Sequence, residues 1–180
     1  SLSSVSGDAA AAAALRCGLA RARMDADEWE GAHADAEAAL SCASELGDRS
    51  LVGDALLRRG ELLRLRSSLA RAEDDFSGAR EAFGQADEWA GDARAASGLG
   101  SIAWQSGRYE EAIALFEEAR VAFDGLGNRA GEARCLGGLG IVHTERGDHK
   151  EALATLEIAE EICRELNDRV GLARTLGNKG

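Results

Sequence analysis

The chain has no proline, one methionine and aromatic residues at only 4% of its 180 positions. Leu, Ala, Glu and Arg dominate, and together with 22 glycines that profile fits an all-helical chain better than a sheet protein. Long hydrophobic runs are missing too. Charges interrupt every apolar stretch, so none approaches the length of a membrane span. The first six residues have neither a basic region nor a long aliphatic run, which excludes a signal peptide there. The four cysteines, Cys17, Cys42, Cys135 and Cys163, form no CxxC and lie far apart. They read as small core or near-core residues of a reduced, cytoplasmic protein rather than as disulfides or zinc ligands. A net charge of −11 argues against a nucleic-acid partner. Catalytic signatures are equally scarce. His33, His143 and His149 do not converge, no nucleophile–base pair stands out, and Gly137-Gly138-x-Gly140 follows no strand that would make it a phosphate loop. No enzyme activity, cofactor or metal is expected.

What is present is repetition. Gly60, Gly100, Gly140 and Gly180 recur at intervals of 40 residues without insertion or deletion. Around them the apolar residues follow helical spacing, which predicts helix pairs. A degenerate first repeat covers 1–46. Its first helix is expected at 8–25, with Asp8 as cap and an Ala-rich stripe running on through Leu15, Leu19 and Met24. Alanine buries little area, so this end of the core should be thin. Further repeats follow at 47–86, 87–126 and 127–166, then a half repeat at 167–180. Asp48, Asn128 and Asp168 are placed as N-caps, and Gly107 and Gly147 as left-handed hinges between helices. Ala72, Ala112 and Ala152 align with Ala32, while Ala79, Ala119 and Ala159 align with Ala39, where helices must approach closely. Phe76, Phe116 and Leu156 share one core slot, and Phe83, Phe123 and Cys163 share another. A single pair cannot bury its own stripe, whereas stacked pairs can. With no initiator methionine and a last repeat cut short, the chain is expected to be a fragment of a longer protein.

Leu99-Gly100, Gly107, Tyr109, Ala112, Phe116 and Ala119 resemble the tetratricopeptide repeat, as do Leu139-Gly140, Gly147, His149, Ala152, Leu156 and Ala159. The period of 40, the missing terminal proline and the G-D-R or G-N-R junctions are similar to the longer bacterial variant of that repeat. A HEAT-type array has a comparable period but does not require this Gly/Ala ladder. The resemblance implies an all-α, right-handed solenoid of about four and a half helix pairs. In it the first helix of each pair lines a concave face and the second a convex face.

That division sorts the charge. The first helices (8–25, 49–66, 89–106, 129–146 and 169–180) carry a net +8, and the second helices (29–45, 69–85, 109–125 and 149–165) a net −13, their carboxylates reading as a solvated face. By the resemblance, an acidic protein has a basic inner lining. The arginine ladder Arg94, Arg134 and Arg174 would point into the groove, suited to bidentate pairing with carboxylates. The alternative is internal pairing, of Arg94 with Asp92 and of Arg134 with Glu132. The same lining holds Arg64, then Ser97, Ser101, Trp104 and Gln105, then Gly137, Ile141, Thr144 and Glu145. Trp104 is a candidate anchor, and Ser97 and Gly137 leave room for a ligand backbone. The implied function is a protein- or peptide-binding scaffold, docking an acidic or extended segment within a bacterial signalling or regulatory protein. A structural spacer that self-associates through Leu172 and Leu176 of the last helix is the other reading. Neither involves nucleic acid or membrane.

Overall fold

The computed structural model describes the backbone of residues 2–179 and side chains from Gly7 onward, so the ladder position Gly180 lies outside the described residues. The described chain is helical throughout: α1 (Leu2–Asp25), α2 (Trp29–Leu46), α3 (Arg49–Leu65), α4 (Leu69–Gln85), α5 (Trp89–Gln105), α6 (Tyr109–Gly125), α7 (Arg129–Arg146), α8 (His149–Glu165) and α9 (Arg169–Lys179). It divides within α5 into two compact units, Ser1–Ala95 and Ala96–Gly180.

The hinges follow a stricter rule than the sequence repeat. A residue with positive φ ends each of the first eight helices, at Asp27, Gly47, Ser67, Asp87, Gly107, Gly127, Gly147 and Asn167. The backbone period is therefore 20 residues, and 40 is simply two hinges. Glycine adopts this conformation without a Cβ clash; Asp and Asn tolerate it because their short polar side chains bond locally. At Gly147 the amide donates to the Thr144 carbonyl (3.0 Å) and the Asp148 amide to that of His143 (2.8 Å), satisfying carbonyls the helix leaves open. Three expected caps are in place: the Asp48 carboxylate accepts from the Leu51 amide, the Asn128 side-chain carbonyl from Gly131 and the Asp168 carboxylate from Gly171.

In the first unit α1 packs on α2 and α3, and α3 on α4. In the second, α7 packs on α6, α8 and α9, and α8 on α9. Helices α1 and α7 thus each meet their own partner and the next first helix of their unit. The glycine ladder explains the close approach. A Cβ on Gly60 or Gly100 would stand 3.1 Å from the ring of Phe76 or Phe116, and one on Gly140 would stand 2.5 Å from Leu156. A second ladder, Gly91 and Gly131, faces Phe83 and Phe123, each with a Cβ position only 2.5 Å from the ring.

Four expectations need correction. Helix α1 starts at Leu2, so Asp8 lies inside it and caps nothing; the Ser/Ala run continues the helix because nothing in it breaks one. Leu15 and Leu19 are 64% and 40% exposed, and the buried stripe of α1 is Ala13, Cys17 and Ala20. The carboxylates of the second helices are not all a solvated face. Asp35, Asp75 and Glu160 are buried because a first helix brings a base to each: Arg16 and Arg23 to Asp35, Arg59 to Asp75, and Lys179 to Glu160. Finally, Leu172 packs against the cluster of Ala133, Leu136, Ala159, Ile162 and Cys163, leaving Leu176 exposed.

Candidate functional site

In the first unit the solvent-facing sides of α1, α3 and α5 enclose a cleft of about 390 Å³. Ala14, Cys17, Gly18 and Arg21 of α1 form one wall, Leu51, Asp54 and Arg58 of α3 the floor, and Arg94 of α5 the other wall. Three arginines and one carboxylate therefore share a space whose apolar surface comes from Ala14, Leu51 and Cys17. Burial raises the Cys17 thiol above its ordinary value, and the Asp54 charge raises it further while Arg58 lowers it. A protonated thiol contributes apolar surface there rather than a nucleophile.

The arginines differ in how they are held. Arg94 donates to Asp54 Oδ1 at 2.7 Å and lies 5.9 Å over the Phe83 ring. Arg58 donates to Glu61 at 2.9 Å. Arg21 is exposed and makes no ion pair among the described residues. Arg64, farther along α3, is half-buried, and burial pushes its guanidinium below its ordinary value against the opposing pull of Glu61. Among the described residues no acid lies within ion-pair distance of it.

Arg94 keeps different company from the pairing read in the sequence. Asp92 accepts from Arg80 at 2.7 Å, and Glu132 accepts from Arg129 at 2.5 Å. Asp92 is drawn to Arg80 because α4 presents that side chain across the hinge, which leaves Arg94 to Asp54. Arg134 is exposed and lies 5.5 Å over the Phe123 ring. Arg174 is exposed on α9.

The other expected site residues belong to the second unit and divide by burial. Ser97 is 6% exposed, so it belongs to the interior. Ser101 donates to the Ser97 carbonyl at 3.1 Å. Trp104 is half-buried against Ala103, Ala112, Phe116, Leu139 and Val142. Gly137 is buried, yet a Cβ there would meet nothing within 4 Å. Gln105 and Glu145 are exposed and Ile141 is half-buried. Thr144 donates to the Gly140 carbonyl at 2.8 Å and borders a second cleft of about 290 Å³ with His149, Leu153, Leu156, Asn178 and Lys179.

Sequence reasoning missed Arg21, Asp54 and Arg58. The signal was available, because Arg21 occupies the same repeat position as Ser101 and Ile141, and Asp54 the same position as Arg94. Arg58 lies one helical turn beyond Asp54.

Helix pairs joined by left-handed hinges, with glycine-for-aromatic packing and an open first-helix face, define a repeat scaffold for protein–protein interaction. The tetratricopeptide repeat family profile matches residues 51–120 and 91–165, and the chain belongs to that family. Its fold is the all-α tetratricopeptide solenoid, and proteins of this family are generally scaffolds rather than enzymes. No curated protein matches the chain. Among solved structures it is similar to BtubC from P. vanneervenii, at TM-score 0.73 and 22% identity over 87% of this chain and 65% of that one. It is also similar to a Rap protein complexed with competence and sporulation factor, at TM-score 0.85 and 16% identity over 92% of this chain and 46% of that one. A third, Pseudomonas aeruginosa pilF, gives TM-score 0.68 and 16% identity over 96% and 77%. The chain thus spans less than two thirds of the length of the first two. Among the described residues no helix is long and apolar enough to cross a membrane.

Proposed function

We propose that the chain is a partner-binding segment of a larger bacterial signalling or regulatory protein, and that it docks an acidic, extended segment on its first-helix face. The observation that carries this reading is the cleft of the first unit, where Arg21, Arg58 and Arg94 outnumber the single acid Asp54. Arg64 adds a half-buried charge that forms no ion pair among the described residues and is only partly offset by Glu61, so it stands to gain from a partner carboxylate. In the second unit, Trp104, Gln105, Arg134, Ile141, Thr144, Glu145 and Arg174 are proposed by themselves as partner contacts, with Gly137 leaving space for a ligand backbone. The Rap protein, complexed with competence and sporulation factor, shares the fold and supports the class of function.

A peptide-display selection against the wild type and against Arg21→Glu/Arg58→Glu tests the proposal. The wild type should enrich segments rich in Asp or Glu, with retention that falls as salt rises, and the charge-reversed protein should not. Enrichment without acids, or the same sequences from both proteins, would overturn it.

A further inference from the structure

The ion pairs of the first unit are of two kinds. Arg59 grips Asp75 through two parallel bonds, Nε to Oδ2 at 2.8 Å and Nη2 to Oδ1 at 2.7 Å. Arg80 grips Asp92 in the same way, at 2.7 and 3.2 Å. These forks tie one helix to another: Arg59 and Asp75 have side chains 18% and 8% exposed. Arg94 and Asp54 differ. Their contact is a single bond from Nη2 to Oδ1, both side chains are about a third exposed, and both line the cleft. A guanidinium held at one point can still offer a fork to a carboxylate that approaches in its plane.

Asp54 also stands where the three later repeats have arginine. The positions in register are Ala14, Asp54, Arg94, Arg134 and Arg174, so Asp54 is the one acid among them. It sits one turn from Arg58 on the same helix, in the most arginine-rich part of the cleft. Resting on the acidic-partner reading above, we propose that Asp54 holds the place of a partner's carboxylate at Arg94. Binding then exchanges the internal one-point contact for a two-point contact from the partner. Asp54 sets a threshold: a segment with a well-placed carboxylate displaces it, whereas a neutral segment leaves Arg94 and Asp54 paired and gains no contact with that guanidinium.

Two fluorescein-labelled peptides of equal length test this by fluorescence anisotropy, one glutamate-rich with an amidated C-terminus, the other glutamine-rich with a free C-terminal carboxylate. Asp54→Asn should tighten binding of whichever peptide carries the recognised carboxylate by about two- to five-fold, the scale of an exposed ion pair. Gain on the first peptide assigns a side-chain carboxylate, and gain on the second a terminal one. Adding Arg94→Gln should abolish the gain, while Glu45→Gln, which removes equal charge from the exposed side of α2, should leave affinity unchanged. Asp54→Ser serves as the second variant, with the same gain expected, should the asparagine variant fold poorly. Equal or weaker binding by both Asp54 variants, with salt-dependent binding by the wild type, overturns the exchange and leaves the acidic-partner reading standing. Absence of binding to either peptide by every variant overturns both.

Discussion

Helix pairs α1–α2 and α7–α8 obey the same spacing and solve close approach in opposite ways. In α1–α2, small meets small: Ala20 lies in the slot that Gly140 takes in α7, and Ala36 in the slot that Leu156 takes in α8, both fully buried. In α7–α8 a glycine is set against a leucine, and the two helices also bury Leu136, Leu139, Val142 and Ile162. Alanine faces let two helices touch but remove little apolar area from water, at about 25 cal/mol per Å². Glycine against a large side chain buries more and leaves no slack. Proximity and strength are therefore separate properties of this repeat. The weaker pair contributes one wall of the arginine-lined cleft, so the basic site is built on the thinner end of the core.

The comparison can be broken by mutation. Leu156→Ala removes the side chain set against Gly140 and should lower stability by about 2–5 kcal/mol in urea unfolding. Leu15→Ala, on the exposed side of α1, should stay within about 0.5 kcal/mol. Equal losses would show that the two ends are packed alike. A smaller contrast comes from glycine. Gly140→Ala drives a Cβ into Leu156 and should cost about 1–3 kcal/mol. Gly18→Ala meets nothing within 4 Å and should stabilise by about 0.5–1 kcal/mol through helix propensity.

The finest test is pH. A hydrogen bond from Lys179, with Arg164 adding its charge, holds Glu160 below its ordinary value of 4.5. Because the folded value lies below the unfolded one, the contribution is complete above about pH 4.5 and is lost as pH falls through the folded value. Amide protection in α9 should therefore decline on acidification in the wild type. Glu160→Gln should start lower and show a shallower decline. Parallel profiles would mean that the Glu160–Lys179 contact does not hold α9 in place.

Much of the fold was legible because its signals are local. Gly107 and Gly147 are left-handed, Asp48, Asn128 and Asp168 are caps, and the helices from α2 to α9 begin and end within about a residue of the spacing-based reading. The N-terminal run misled because Asp8 looks like a cap when the helix is in fact already under way. Less of the site was legible. Ser97 was expected on the open lining yet is buried, and Arg21 was hidden in a repeat whose other signals are weak. Gly91 and Gly131 recur at the repeat spacing, but only the rings of Phe83 and Phe123 show what they make room for.

The sequence by itself determined the helices, their hinges and the segregation of basic first helices from acidic second ones, since each follows from torsional preference and periodicity within a few residues. Tertiary structure alone decided partner choice. Asp92 goes to Arg80, Asp54 to Arg94 and Asp75 to Arg59, and Arg64 forms no ion pair among the described residues. An ion pair depends on which helices meet and at what height, and the packing of distant alanines, glycines and phenylalanines sets that.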